Sequence, residues 1–131
     1  WNYTFDNTNE RGDLWNDEDL SIFSRDQQTD PHEVDSGGRA LKALLRPYPL
    51  ATAGEPLRLS FDIRSKEFIF RFRHDPNVTE PTLIFVPNYQ YPTGCRVKVS
   101  DGKFELDRSD QLLKYWHTAG QSEHDIHIGP L

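Results

Sequence analysis

The 131-residue sequence has no methionine and only one cysteine, Cys95. A single cysteine excludes a disulfide within the chain and favours a reducing compartment. No apolar run approaches the roughly 20 residues that a membrane-spanning helix needs. Runs of lysine and arginine are also absent from a chain whose net charge is −6. Because phosphate contacts need clustered cations, we expect no nucleic acid among its partners.

Motifs for a serine nucleophile and for common cofactors are lacking as well. The sequence contains no Gly-x-Ser-x-Gly, Walker or GxGxxG motif, and we expect no cofactor. Residues 7–18 have the length of an EF-hand calcium loop, but Arg11 in the fifth position cannot bind a cation. His124 and His127 are three residues apart on a predicted strand and point to opposite faces. We interpret the five histidines as surface or loop residues and expect no metal site.

Charge divides the sequence into two parts. Residues 1–35 hold ten acidic and two basic residues, whereas residues 36–131 hold 11 acidic and 13 basic ones. The acids of the first part are abundant, but catalytic carboxyl groups need a cleft and shifted pKa values. We interpret them as a solvated loop and assign no catalytic residue. The chain opens on the aromatic Trp1, and we expect it to be the C-terminal piece of a longer protein.

Hydrophobic spacing predicts one helix in the first 50 residues. Residues 38–46 have leucines at helical spacing, Ser36 is the predicted N-cap, and Pro47 ends the helix. We interpret residues 46–54 as a linker. Trp1, Tyr3 and Phe5 alternate like the end of a strand. A strand end, a loop and a helix form one unit of an α/β fold, which cannot close a core alone.

From residue 55 the hydrophobic period changes to two. Alternation and turn residues predict about seven short strands, and Asp101-Gly102 is predicted to be the hairpin turn between two of them. Short strands at this spacing indicate an antiparallel sandwich. The predicted fold is therefore mostly β, with a C-terminal antiparallel β-sandwich preceded by a strand end, a loop and a helix.

Two tryptophans in the acidic part, Trp1 and Trp15, are the candidate substrate-binding residues. Flat aromatic rings at the mouth of a pocket give surfaces on which sugar rings stack. The alternative is packing against a larger body of protein. For Trp15 the residues favour packing, and for Trp1 the two interpretations stay open.

Several motifs together resemble one known family. They are Trp1-Asn2-Tyr3-Thr4, Gly12-Asp13-Leu14-Trp15-Asn16, Arg46-Pro47-Tyr48-Pro49, Ile84-Phe85-Val86-Pro87 and Val99-Ser100-Asp101-Gly102. The chain resembles the C-terminal end of endoglycoceramidase-like enzymes of glycoside hydrolase family 5, in the branch that cleaves glucosylceramide and sterylglucosides. The resemblance covers nearly the whole chain. It implies a (β/α)8 barrel, whose last strand end, loop and helix are residues 1–50, followed by a β-sandwich domain at residues 51–131.

The resemblance also implies roles. The parent would be a retaining glycosidase acting on a glycolipid substrate, with two catalytic glutamates on the fourth and seventh barrel strands. Both precede Trp1, so the chain alone is expected to lack them and to be inactive. Trp1 matches the tryptophan that lines the sugar subsite beside the cleaved bond. The rest of the barrel is then the partner of this chain.

Two other interpretations of the sandwich stay open. It could be a non-catalytic module that binds lipid, glycan or a membrane surface, because Arg64, Lys66, Arg71 and Arg73 cluster around one predicted hairpin and suit anionic headgroups. It could instead only brace the barrel.

Overall fold

The computed structural model describes residues 22–131. Contacts divide the chain into two units, Trp1–Leu44 and Leu45–Leu131. The predicted strand end at Trp1 and most of the acidic loop lie outside the described residues, as does Trp15. Within residues 22–131, the structure contains no helix with the length and apolar character needed to cross a membrane.

The described part of the first unit holds two short helical turns. A 3-10 helix spans Arg25–Gln27, and helix α1 spans Leu41–Leu44. The prediction of a helix over 38–46 is therefore wrong at both ends. Gly38 forms an antiparallel bridge with Phe23 instead, and Ala40 has a φ of 53°, which a right-handed helix does not contain.

The predicted N-cap is also wrong. The hydroxyl of Ser36 accepts hydrogen bonds from the backbone N–H groups of Thr29, at 2.9 Å, and Asp30, at 3.0 Å. It therefore fastens the preceding loop and does not begin a helix. Serine competes for nearby backbone groups in this way wherever a turn offers them.

The second unit consists of eight strands. They are β1 (Tyr48–Ala51), β2 (Gly54–Phe61), β3 (Phe68–His74), β4 (Thr82–Phe85), β5 (Cys95–Val99), β6 (Lys103–Asp107), β7 (Leu112–Trp116) and β8 (Glu123–Pro130). All pairings are antiparallel, in two four-stranded sheets with the orders β1-β4-β7-β6 and β2-β3-β8-β5. The predicted mostly β, antiparallel sandwich is confirmed.

The core lies between the two sheets. Phe68, Phe70 and Phe72 alternate along β3 and are fully buried, and Leu113 and Tyr115 face them from β7. The rings of Phe72 and Tyr115 meet edge to face, with centroids 6.1 Å apart. Each fully buried large apolar side chain stabilises the fold by about 1.5–3 kcal/mol. Alternation in these strands therefore holds the two layers together.

Two local predictions are corrected by the sheet topology. Part of the predicted linker is strand β1, in which Pro49 pairs with Ile84 of β4. Proline is tolerated there because β1 is an edge strand, where a lost N–H donor breaks no ladder. The predicted hairpin turn at Asp101-Gly102 joins β5 to β6, which belong to different sheets. The turn therefore crosses the sandwich and carries Asp101 to its interior side.

Candidate functional site

Three histidines from three strand ends meet inside the sandwich. His74 ends β3, His117 follows β7, and His124 is the second residue of β8. One ring nitrogen of each lies within 4.8 Å of the others. We call these residues the histidine cluster. Strand alternation explains the meeting, because each histidine is two residues from a buried core position on its own strand.

Burial within the histidine cluster is deepest at His124. Its side chain is fully buried, whereas His74 and His117 are half-buried. In the sheet, His124 lies opposite Phe72, and their ring centroids are 5.2 Å apart. The interpretation of the histidines as surface or loop residues is thus wrong for His124. It is right for His127, which is exposed on the other face of β8.

Asp101 supports the cluster from behind. Its Oδ1 lies 2.9 Å from Nδ1 of His124 and accepts a hydrogen bond from the hydroxyl of Tyr115. Its Oδ2 accepts hydrogen bonds from the backbone N–H of Thr118, at 3.1 Å, and from the Thr118 hydroxyl. Burial raises the pKa of Asp101, but the hydrogen bonds outweigh it and hold that pKa well below its usual range. Asp101 is therefore a carboxylate.

This carboxylate fixes the position of one proton in the cluster. Because a carboxylate only accepts, Nδ1 of His124 carries a proton and donates it to Asp101. Nδ1 of His74 lies 3.0 Å from Nε2 of His124, and the two nitrogens share one hydrogen bond. Hydrogen bonds at both ring nitrogens hold the His124 ring in one orientation.

His117 completes the cluster without such a bond. Its Nδ1 is buried and has no hydrogen-bond partner among the described residues. Its ring stacks on His74 with centroids 4.7 Å apart, and it lies 4.7 Å from the His124 ring. Burial lowers the pKa of His117, and the neighbouring imidazoles lower it further. A neutral imidazole with a free lone pair is the form that binds a metal ion.

Two of the four basic residues around the predicted hairpin, Arg71 and Arg73, pair with acids. Arg71 donates two hydrogen bonds to Asp125, at 2.8 and 3.0 Å. Arg73 forms ion pairs with Glu55 at 2.8 Å and Glu123 at 3.2 Å. These contacts reduce the positive charge that this surface offers to an anionic headgroup.

Comparison with known proteins places the fold in a family. The sequence profile of the glycoside hydrolase family 5 C-terminal domain matches residues 46–128. The chain belongs to this family. The resemblance seen in the sequence is therefore confirmed. The match covers the eight-stranded unit almost entirely, including all three residues of the histidine cluster.

Relatives of this family 5 chain are glycosidases of glycolipids by name. A glucosylceramidase of Cryptococcus neoformans is 35% identical over 88% of the chain and 18% of its own length. An endoglycoceramidase I of Rhodococcus hoagii is 41% identical over 62% of the chain and 15% of its own length. The chain thus spans less than a fifth of the length of these relatives.

A solved structure shows the same fold over nearly the whole chain. Sterylglucosidase 1 of Cryptococcus neoformans superposes on 99% of the chain with a TM-score of 0.83 and 31% identity, covering 21% of the sterylglucosidase. Endo-glycoceramidase II of Rhodococcus sp. superposes on 77% of the chain with a TM-score of 0.61 and 26% identity. The fold described above is therefore shared with glycosidases.

Proposed function

We propose that the chain is the C-terminal part of a retaining glycoside hydrolase that cleaves the β-glucosidic bond of glycolipids, glucosylceramide or sterylglucoside. One observation carries the proposal. A glycosidase named for sterylglucosides contains the fold of 99% of this chain within 21% of its own length. Relatives named for glucosylceramide and for glycoceramides point to the same substrate class.

The chain's part in this reaction is accessory. A retaining glycosidase uses two carboxyl groups about 5–5.5 Å apart, one as acid/base and one as nucleophile. We place both glutamates in the barrel, outside this chain. The chain alone is then inactive, and its acidic first part is a loop at the rim of the active site.

Trp1 is the proposed direct contact with substrate. In a (β/α)8 barrel the active site lies at the C-terminal ends of the strands, which is where the resemblance sets Trp1. Its indole ring would stack on the glucose unit beside the cleaved bond. The resemblance sets Trp15 in the loop that follows, and Trp15 is the second candidate, either for contact with substrate or for packing against the barrel.

Activity assays test whether catalysis needs the barrel in addition to this chain. The 131-residue chain and a longer protein that includes the barrel are assayed on a fluorogenic β-glucoside and on glucosylceramide. We expect turnover by the longer protein and none by the chain alone. Robust turnover by the chain alone would refute the accessory role.

Substitution in the longer protein tests the proposed contact. We expect Trp1→Ala to lower kcat/KM about tenfold, the equivalent of about 1.4 kcal/mol of transition-state stabilisation. Trp116→Ala is the matched control, because Trp116 lies in the sandwich, with the Lys103 ammonium 5.0 Å from its ring centroid. Equal effects of the two substitutions would contradict stacking by Trp1.

A further inference from the structure

We propose that His74, His117 and His124 form a zinc site within the sandwich, with Asp101 as the residue that orients His124. Zinc is bound by imidazole nitrogens, and sites with three protein ligands keep a fourth position for water or another ligand. Imidazole also suits zinc better than it suits magnesium or calcium, which take oxygen ligands.

One pair of ring nitrogens in the cluster already lies near the separation found around a bound zinc ion. Two nitrogens that share a tetrahedral zinc at about 2.0–2.1 Å lie roughly 3.3 Å apart. His74 Nδ1 and His124 Nε2 are already 3.0 Å apart. The largest separation among the three ligand nitrogens is within 4.8 Å, so the wider contact must close by about 1.5 Å to reach tetrahedral spacing. On binding, rotation of the half-buried His74 and His117 rings would have to supply this movement.

The carboxylate behind His124 is the feature that favours a metal ion over a chance meeting of rings. Histidine ligands commonly donate their second N–H to a carboxylate, which fixes the tautomer and increases the basicity of the ligating nitrogen. Asp101 has this position, since its Oδ1 lies 2.9 Å from Nδ1 of His124. It is itself held by Tyr115 and Thr118.

Hydrogen bonds do not occupy every buried ring nitrogen of the metal-free cluster. Nδ1 of His117 is buried without a partner among the described residues, and one hydrogen bond joins His74 to His124. Zinc would coordinate one nitrogen from each ring, and each neutral ring would carry its proton on the other nitrogen.

Solvent reaches the cluster from two sides. His74 borders an open groove of about 520 Å³ that Thr52, Glu55, Asp75 and Val78 help to line. His117 borders a second groove of about 260 Å³. These grooves give an ion a path of entry and leave room for a water as the fourth ligand. Because the three ligands come from β3, β7 and β8, the ion would link both sheets.

Zinc titration of the full 131-residue chain tests the site. The chain is stripped with a chelator and titrated with Zn²⁺ in competition with a chromogenic chelator. We expect one ion per chain, and with Co²⁺ the strong visible absorption of a tetrahedral site. At free zinc 100-fold above Kd, the folding equilibrium constant should rise about 100-fold, which raises the melting temperature.

Matched variants locate the ion. We expect His74→Gln and His117→Gln to abolish binding, and Asp101→Asn to weaken it about 10–100-fold. His127→Gln is the control, because His127 is exposed on the opposite face of β8 and should bind zinc as the unaltered chain does. Circular dichroism confirms that each variant is folded.

Three outcomes would overturn the proposal. The first is that the stripped, folded chain takes up no stoichiometric zinc, which needs no variant. The second is that His74→Gln and His117→Gln bind as tightly as the unaltered chain. The third is that His127→Gln weakens binding as much as they do.

Discussion

Replacing Asp101 by alanine is the most informative test of how the sandwich is stabilised. The side chain of Asp101 accepts hydrogen bonds from Tyr115, Thr118 and His124. It therefore connects the β5–β6 crossing to β7, to the loop that follows β7, and to β8. Alanine removes all of these acceptors and inserts no new group.

The loss of stability depends on which hydrogen-bond donors lose their acceptor. Tyr115 and His124 are fully buried, and an unsatisfied buried donor costs about 1–3 kcal/mol. Thr118 is exposed, so water replaces its bonds at little cost. We therefore expect Asp101→Ala to lower the free energy of unfolding by about 2–6 kcal/mol. For a domain of this size, that lowers the melting temperature by at least roughly 8 °C.

Urea unfolding followed by far-ultraviolet circular dichroism measures this difference near neutral pH. The control is Asp125→Ala, which removes a carboxylate of the same type from an exposed ion pair with Arg71. Exposed pairs of this kind contribute about 0–1 kcal/mol. If Asp101→Ala destabilises the chain no more than Asp125→Ala does, the reasoning about buried donors is wrong.

Three further predictions test the packing and the titration of the same unit. Burial and two neighbouring imidazoles lower the pKa of His117, so the folded state resists its protonation. His117 should therefore contribute its full stabilisation above 6.5, the ordinary pKa of histidine. The free energy of unfolding should fall as the pH drops below that value. When urea unfolding is measured across this pH range, the free energy of unfolding should depend less steeply on pH for His117→Gln than for the unaltered chain. An equal pH dependence of the two would contradict the lowered pKa of His117. Phe72→Ala should cost about 3–5 kcal/mol in urea unfolding because Phe72 is fully buried, whereas Phe104→Ala, at a side chain 40% exposed, should cost about 1 kcal/mol or less; similar losses would refute the core assignment. Gly102→Ala should lower the melting temperature, since Gly102 has a φ of 66° and a Cβ there would collide with a carbonyl oxygen of β7. Gly120→Ala, where only a hydroxyl lies within 4 Å of the added Cβ, should leave it nearly unchanged, and equal shifts would count against the strain.

Strand alternation predicted the interior of the sandwich well. Phe68, Phe70 and Phe72 recur every second residue, and so do the buried positions of β3. Alternation could not show which strands lie at an edge. Leu57 and Leu59 alternate in the same way, yet they are 38% and 55% exposed because β2 is an edge strand whose register shifts between Pro56 and Arg58.

The histidine cluster could not be predicted from single segments of the sequence. His124 and His127 do point to opposite faces, as predicted, but the partners of His124 come from β3 and from the end of β7. A sequence signal for the cluster exists, since His74, His117 and His124 each continue a series of buried alternate positions. Only the strand order reveals that these three series end at one place. Likewise, Asp101-Gly102 shows a turn, but not that the turn crosses between sheets.

Covalent trapping of the catalytic nucleophile tests the central proposal most directly. A 2-fluoroglucoside reacts with a retaining glycosidase to form a long-lived glycosyl-enzyme, which peptide mapping then locates. In a longer protein that includes this chain, we expect the label on a glutamate that precedes Trp1, and none on residues 1–131. Label on an acid within residues 1–131, or no covalent label during turnover, would contradict the account.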